Sequence, residues 1–242
     1  MRIVFEDEPL DLEQPIWRYF KTERFLDFVK TGHIYFAAAR QFQDPFEGAV
    51  AVMPPGFPVD PRYAELEHGD RAFEELRRLT KINCWHRAQY ESDAMWQLYA
   101  GAWKGVAILS TPSRIAAAAE PFRLQPEYGH EDLWAGNVRY VDLLKERLRV
   151  NMLHRFWYKH AAFSWEREFR LAISLRMAEE FGVAVPAEGI KVQFEVRQLV
   201  HRIFIGPSLP PSDEQAVREA AEAIGLGKCI RTSSMLGTPR YT

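Results

Sequence analysis

A strand, a helix and a second strand follow one another near the start of the chain, and this order constrains the fold more than any other feature. The aromatic run Trp17–Phe20 is typical of a strand, and residues 25–29 carry an apolar stripe at helical spacing. Thr22 is a candidate N-cap, and Gly32 is placed to end the helix in the left-handed conformation. His33–Ala38 then predicts a second strand. The opening therefore predicts a sheet with a helix beside it.

Short apolar runs and helical patterns alternate along the rest of the chain. We predict strands over residues 82–85, 106–109, 138–141, 169–175, 192–196, 203–205 and 229–231. We predict helices over 62–79, 92–100, 143–161 and 212–225, and one that begins at Pro112. The longest predicted helix, 143–161, is based on apolar residues spaced four apart. The last predicted helix, 212–225, is based on a capping box, Ser212-Asp213-Glu214-Gln215. Residues 54–61 hold four prolines and predict irregular structure. The predicted fold class is α+β: a mixed sheet core with flanking helices, in a single domain over residues 1–242.

Charge and cysteine content exclude several classes of protein. The 31 Lys and Arg against 33 Asp and Glu leave a net charge of −2, whereas a protein held on duplex DNA by charge alone is normally basic. Two cysteines are too few for a disulfide framework or a cysteine-rich zinc site. No run of ~18 apolar residues could span a membrane, and Glu6, Asp7 and Glu8 stand where a signal peptide needs an apolar core. We expect a cytoplasmic protein with no membrane partner; its oligomeric state stays open.

Two short motifs are secondary candidates for a functional site. Asp44 and Glu47 flank Pro45 and Phe46, so the segment either orients a carboxylate toward a ligand or metal, or forms a turn in which Phe46 fills a core edge. His86 lies two residues after Cys84, which suggests metal or nucleophile chemistry. No second ligand pair at zinc spacing follows, and a cysteine on a buried strand is more often an inert small hydrophobe.

The segment Phe163–Arg170 is the most suggestive. Glu166, Glu168 and Arg170 alternate along a predicted strand and therefore share one face. This face is either a solvated sheet edge or a carboxylate pair at a cleft, with Arg170 holding one carboxylate. Such a pair suits the stabilisation of a cationic transition state or the activation of an acceptor.

A helix that starts after Ser92 carries the third candidate group. Ser92, Met95, Trp96 and Tyr99 share one helical face by their spacing. The face either packs into the core or forms a stacking wall for a flat ring, with the Ser92 hydroxyl beside it. The sequence contains no phosphate loop, dinucleotide fingerprint or nucleophile elbow.

Taken in order, these motifs resemble a known bacterial family, the domain of unknown function 2971. They are Trp17-Arg18-Tyr19-Phe20, Asp44-Pro45-Phe46-Glu47, Cys84-Trp85-His86, Glu91-Ser92 with Ala94-Met95-Trp96 and Tyr99, Gly105, and Glu166-x-Glu168-x-Arg170. The resemblance covers roughly residues 17–235. It implies a shared fold without an activity, and it suggests a role in phage defence or as a toxin.

The chain is also similar to ADP-ribosyltransferases of the arginine-serine-glutamate type, because Arg18, Ser92 and Glu166-x-Glu168 come in that family's order. It departs from them at Ser92, which lies between Glu91 and Asp93 instead of in a Ser-Thr-Ser motif. The resemblance implies cleavage of NAD as co-substrate and transfer to an unknown protein or nucleic acid acceptor.

That resemblance also implies roles for individual side chains. Glu168 would stabilise the oxocarbenium-like state, and Glu166 would orient or deprotonate the acceptor. Arg18 would bind the pyrophosphate, and Trp96 or Tyr99 would stack on nicotinamide. Ser92 and Arg170 complete the expected cofactor-binding set.

Two other classes of function remain open. One is a non-catalytic sensor module that binds a nucleotide or peptide. The other is a Mg²⁺-dependent nuclease using Asp44, Glu47, Glu166 and Glu168. A transferase requires a cleft where Arg18, Ser92 and Glu168 converge, and a nuclease requires carboxylates around one point. A binding module would leave Glu168 paired with Arg170 and shielded from solvent.

Overall fold

A computed structural model describes residues 1–6, 9–50 and 66–237, and the chain forms two compact units. The first unit comprises Met1–Leu10, Tyr35–Cys84 and Pro121–Lys191, and the second comprises Asp11–Ile34, Trp85–Glu120 and Val192–Thr242. Both parallel and antiparallel strand pairs occur, with helices beside them, so the predicted α+β class with a mixed sheet and flanking helices is confirmed. The prediction of one domain over residues 1–242 stays a prediction.

The strands and helices have these bounds. The strands are β1 (Ile3–Phe5), β2 (Ile16–Phe20), β3 (His33–Ala38), β4 (Thr80–Arg87), β5 (Val106–Ser110), β6 (Leu133–Asn137), β7 (Arg139–Val141), β8 (Tyr158–His160), β9 (Glu168–Ser174), β10 (Ile190–Gln193), β11 (Arg202–Ile205) and β12 (Ile230–Thr232). The helices are α1 (Thr22–Thr31), α2 (Leu66–Leu79), α3 (Asp93–Tyr99), α4 (Pro112–Ala118), α5 (Arg176–Glu180), α6 (Val196–Leu199) and α7 (Pro211–Ala223). Short 3-10 helices cover Ala39–Gln41, His154–Trp157, Ala161–Glu166 and Gly227–Cys229.

In the first unit, β9 lies between β6 and β4. β1 pairs in parallel with β6, and β6 pairs antiparallel with β9, where Trp134 lies opposite Ala172. β7 and β8 form a separate parallel pair. The core of this unit includes Leu76, Ile82 and Phe156. Because β9 is an inner strand, its side chains are buried, and any charge on it must find a partner inside the protein.

In the second unit, β2 pairs antiparallel with β5 and with the end of β4, and β11 pairs antiparallel with β5 and in parallel with β12. Trp17 and Trp96 pack together in its core with Ala100 and Ala107. Gly32 ends α1 with a φ of 70°, as predicted. The side chain of Ser92 accepts a hydrogen bond from the Met95 amide, so its predicted N-cap role is confirmed.

The long helix predicted over 143–161 is wrong. The segment contains the 3-10 helix His154–Trp157 and then strand β8. Leu144 and Met152, which were expected to share the buried stripe, are exposed. An extended β8 pairs with β7 and buries Lys159 between carboxylates, and these contacts outweigh the helical spacing of the apolar residues.

Other local predictions also need correction. Lys21 occupies the N-cap of α1, and the Thr22 hydroxyl donates to the Lys104 carbonyl instead. Pro210 is the N-cap of α7, so the predicted capping box does not form. Glu166 ends a 3-10 helix and does not lie on a strand with Glu168.

Several boundaries also differ. The predicted strand over 192–196 is displaced, since β10 ends at Gln193 and α6 begins at Val196. Strand β6 was not predicted, because its sequence lacks a clear period. The predicted loop 54–61 and the start of the predicted helix 62–79 lie outside the described residues. Among the residues that the structure describes, no helix is long and apolar enough to cross a bilayer.

Candidate functional site

A buried cluster of charged side chains, which we call the ion network, joins two of the motifs found in the sequence. Its members come from a loop, from β8 and β9, and from the end of a 3-10 helix. They are Glu47, Lys159, Glu166, Glu168 and Arg170. All five belong to the first unit.

Arg170 is the centre of the ion network. Its guanidinium is fully buried and donates to both carboxylate oxygens of Glu47, at 2.7 and 3.0 Å. Its Nε donates to Glu168 at 2.9 Å, and Nη1 also donates to the Phe156 carbonyl. The planar fork of arginine suits a carboxylate that offers two oxygens. Arg170 is therefore held by protein acceptors, and its expected role in cofactor binding has no support in these contacts.

Lys159 bridges the other two carboxylates. Its ammonium donates to Glu168 at 2.7 Å and to Glu166, and it lies 4.6 Å from the centre of the Phe163 ring. Burial acts to lower the pKa of Lys159, but Glu168 and the hydrogen bonds outweigh it and raise that pKa. The lysine therefore carries its charge. Glu168 thus touches both cations of the ion network.

The two neighbouring glutamates have pKa values shifted in opposite directions. Burial acts to raise the pKa of Glu168, but the charges of Arg170 and Lys159 outweigh it and hold that pKa well below its ordinary value. Burial, together with the hydrogen bond and charge of Glu168, raises the pKa of Glu166 to about 7. Glu168 is thus a permanent anion, and Glu166 exchanges its proton near neutral pH.

Two further titratable groups, Cys84 and Glu47, lie beside Glu168 and Arg170. Burial raises the pKa of the Cys84 thiol well above its ordinary value, and this thiol hydrogen-bonds Glu168. A thiol that stays protonated is a poor nucleophile, so the inert interpretation of Cys84 is favoured. Burial also raises the pKa of Glu47 against the opposing charge of Arg170.

Asp44 forms a turn and makes none of the ion pairs of the network. One oxygen accepts a hydrogen bond from the Phe46 amide at 2.9 Å, as expected for an Asp-Pro turn, while the other is buried and has no hydrogen-bond partner among the described residues. Over residues 1–6, 9–50 and 66–237, no group of His, Cys, Asp or Glu could hold a metal ion. The nuclease interpretation therefore has no supporting cluster in this part of the chain.

The remaining candidates belong to the second unit. The Arg18 guanidinium lies 5.4 Å from the Phe20 ring and 6.0 Å from the Trp85 ring. Trp96 is fully buried, and its indole donates to Glu91 at 2.9 Å. Trp96 is thus a core residue and not the face of a stacking wall.

The other three candidate residues in the second unit differ in exposure. The Ser92 hydroxyl caps α3, and the Ser92 amide donates to the Tyr19 hydroxyl. His86 is buried on β4. Tyr99 remains exposed at the end of α3. Of the expected nicotinamide-stacking residues, Tyr99 alone presents its ring to solvent.

Sequence reasoning missed Lys159. A lysine directly after Trp157 and Tyr158, in the segment predicted to be the helix 143–161, was a signal that its charge would need an internal partner. The pairing of Glu47 with Arg170 had no comparable signal, because nothing in a single sequence reports which distant charges meet.

A scan against protein-family models, a search of curated proteins and a search of solved structures each found no match. The resemblances drawn from the motifs therefore stay predictions.

Proposed function

We propose that this chain is a non-catalytic binding module whose ligand is a peptide. The observation that carries the proposal is the state of Glu168, which is buried and paired with both Arg170 and Lys159. A carboxylate that stabilises a cationic transition state must face the reacting group, and its effect is weakened by cations already beside it. Glu168 instead acts as an internal anchor.

The proposed binding surface lies in the second unit, in the segment from Tyr90 to Tyr99. Tyr90 is 82% exposed, Leu98 62% and Tyr99 49%. Single exposed apolar residues are ordinary, but three large ones within ten residues form a candidate contact surface. Tyrosine rings supply broad contact at a low entropic cost. Glu91 and Asp93 in the same segment disfavour the phosphate groups of a nucleotide, so a peptide is the better ligand.

Selection from a phage-displayed random-peptide library tests this proposal. We expect peptides that bind the wild-type chain and lose at least about tenfold in affinity for the Tyr99→Ala and Leu98→Ala variants, which corresponds to ~1.4 kcal/mol. Phe181→Ala, at an exposed ring in the first unit, is the matched control and should bind normally. Peptides that bind the Tyr99→Ala and Leu98→Ala variants with unchanged affinity would contradict the proposal. Binding of ATP instead of peptides would also contradict it.

A second candidate is the NAD-dependent ADP-ribosyltransferase implied by the resemblance, acting on a protein or nucleic acid in phage defence or as a toxin. One observation favours it: Glu166 and Glu168 are adjacent carboxylates whose pKa values are shifted apart, a pattern typical of acid–base pairs. In this proposal Glu166 exchanges the acceptor proton.

Labelled NAD⁺ incubated with cell lysate distinguishes the two candidates. A binding module leaves NAD⁺ intact. A transferase releases nicotinamide and labels a macromolecule, and the Glu166→Gln variant should then lose at least ~10²-fold in rate, the scale of lost proton transfer.

A further inference from the structure

The ion network contains more negative than positive groups. Three carboxylates, Glu47, Glu166 and Glu168, share two cations, Lys159 and Arg170, and all five side chains are buried. An uncompensated charge is costly inside a protein and is normally removed by taking up a proton. The geometry therefore raises the question of which carboxylate takes up the proton.

The contacts favour Glu166. Glu47 accepts two hydrogen bonds from Arg170, and Glu168 is bound by both cations, whereas in the described part of the chain Glu166 has one ion pair, with a lysine that Glu168 also binds, so protonating Glu166 weakens the fewest of these charged contacts. Glu166 lies beside Glu168, to which a protonated carboxyl can donate a hydrogen bond. Its side chain also retains 10% of its exposure, whereas that of Glu47 has none, so protons reach Glu166 from solvent.

Glu166 also anchors the segment that carries it. The 3-10 helix Ala161–Glu166 has Glu166 as its single buried residue, while Trp165 and the following Arg167 are exposed. Arg167 has a left-handed backbone with a φ of 43°, which ends the helix there. Glu166 is thus the buried side chain through which this short helix joins the ion network, with the half-buried Phe163 ring beside Lys159.

We propose that Glu166 is a proton-operated latch: with its proton it fastens the helix Ala161–Glu166 to the ion network, and without it the helix loosens. Loss of the proton places a second anion against Glu168 and replaces a hydrogen bond with repulsion. The inference concerns the first unit and does not depend on the proposed peptide-binding surface.

The groups around Glu166 set the pH at which the latch works. Lys159 from β8 and Glu168 from β9 act on it directly. Arg170 from β9, Cys84 from β4 and Tyr140 from β7, whose hydroxyl accepts from the Glu168 amide, contact Glu168, and Glu47 contacts Arg170. His160, at the N-cap of the helix, accepts from the Ala162 amide. Lys159 favours the anion, whereas burial and Glu168 favour the proton, and the balance brings the pKa of Glu166 to about 7. The latch therefore operates across neutral pH.

Hydrogen exchange between pH 6 and 8 tests the latch. We expect the protection factors of the amides in residues 161–167, corrected for intrinsic exchange, to fall ~10-fold as Glu166 loses its proton, since one unit of pKa corresponds to a tenfold change. The Glu166→Gln variant, which mimics the protonated side chain, should keep its protection at both pH values. Glu127→Gln, at an exposed carboxyl of the first unit, is the control and should behave as wild type.

A second measurement keeps the proposal testable if the Glu166→Gln variant does not fold. A pH titration of the glutamate carboxyls in the wild-type chain, followed by carbon-13 NMR, should show one carboxyl with a midpoint near 7. If this signal is missing in the Glu166→Asp variant, it belongs to Glu166. A midpoint for Glu166 at its ordinary value of 4.5, or parallel loss of protection in wild type and Glu166→Gln, would overturn the latch.

Discussion

Arg170 on β9 binds Glu47 through two hydrogen bonds of 2.7 and 3.0 Å, although the residues are 123 positions apart in the chain. The pair joins the Asp44–Gly48 turn to an inner strand of the first unit. Two motifs that are separate in the sequence are therefore parts of one cluster. Their residue types are explained by the need to satisfy a fully buried guanidinium.

The first prediction concerns this pair. Arg170→Met leaves Glu47 and Glu168 buried without one of their cations, and we expect the free energy of unfolding to fall by about 3–5 kcal/mol. Arg176→Met, which removes an exposed ion pair with Glu180, should cost less than about 1 kcal/mol. Urea unfolding of both variants measures the difference. Similar losses for the two would show that the ion network contributes no more than a surface pair.

Gly48 provides a second prediction. Its φ is +77°, and an added Cβ would lie 2.5 Å from Phe156. Gly182 has the same φ with nothing within 4 Å of an added Cβ. Gly182→Ala should cost about 1–2 kcal/mol for the left-handed backbone alone. Gly48→Ala should cost about 1–3 kcal/mol more, because Phe156 must move. Equal unfolding free energies for the two variants would contradict the close contact.

Ser92 allows the capping role to be separated from a ligand role. Ser92→Ala should lower the free energy of unfolding by about 1 kcal/mol, because the Met95 amide loses its acceptor. Ser92→Asp should restore most of that stability, since aspartate is an equally good N-cap. Thermal unfolding of wild type and of the two variants measures their relative stability. If Ser92→Asp is no more stable than Ser92→Ala, the capping role is contradicted.

Glu131 gives a prediction about pH. One of its oxygens is buried without a hydrogen-bond partner in the described part of the chain, and burial, with the charge of Asp132, raises its pKa from 4.5 to about 7. The folded state therefore holds the proton more tightly than the unfolded state. Its contribution to stability is fully present below pH 4.5 and is lost as pH rises to about 7.

Replacing Glu131 by Gln removes this dependence. Above pH 7 the melting temperature of Glu131→Gln should exceed that of wild type, and the difference should shrink toward pH 5. The comparison with wild type, and not the slope of either curve alone, isolates Glu131 from the other groups of the chain. A constant difference at all pH values would contradict the prediction.

Local patterns predicted the elements that local interactions stabilise. The β-α-β opening from Ile16 to Ala38 and the start of α4 at Pro112 follow from spacing, glycine and proline alone. The prediction failed where distant contacts decide. Residues 154–160 carry helical spacing but form a 3-10 helix and a strand, and β6 contains Gly136 and no clear period yet pairs on both sides.

The candidate site could be predicted in part. The sequence indicated the Glu-x-Glu-x-Arg segment and the Asp-Pro-Phe-Glu turn, and it offered shielding of Glu168 by Arg170 as one alternative. It did not indicate that Lys159 joins them, because the segment 143–161 was predicted to be a helix and not the strand that brings this lysine to the two glutamates. Trp96 was a candidate for stacking, but burial in the core and a bond to Glu91 leave its ring no free face.

The pairing of β1 with β6 has a consequence for synthesis on the ribosome. Ile3–Phe5 are translated well before their partners at Leu133–Ala135, so the whole intervening stretch of chain must be made before they can be covered. During that interval an apolar N-terminal segment stays available to other molecules. Nascent chains of this protein should therefore be early clients of chaperones, and a slow step in refolding should report the docking of this three-residue strand.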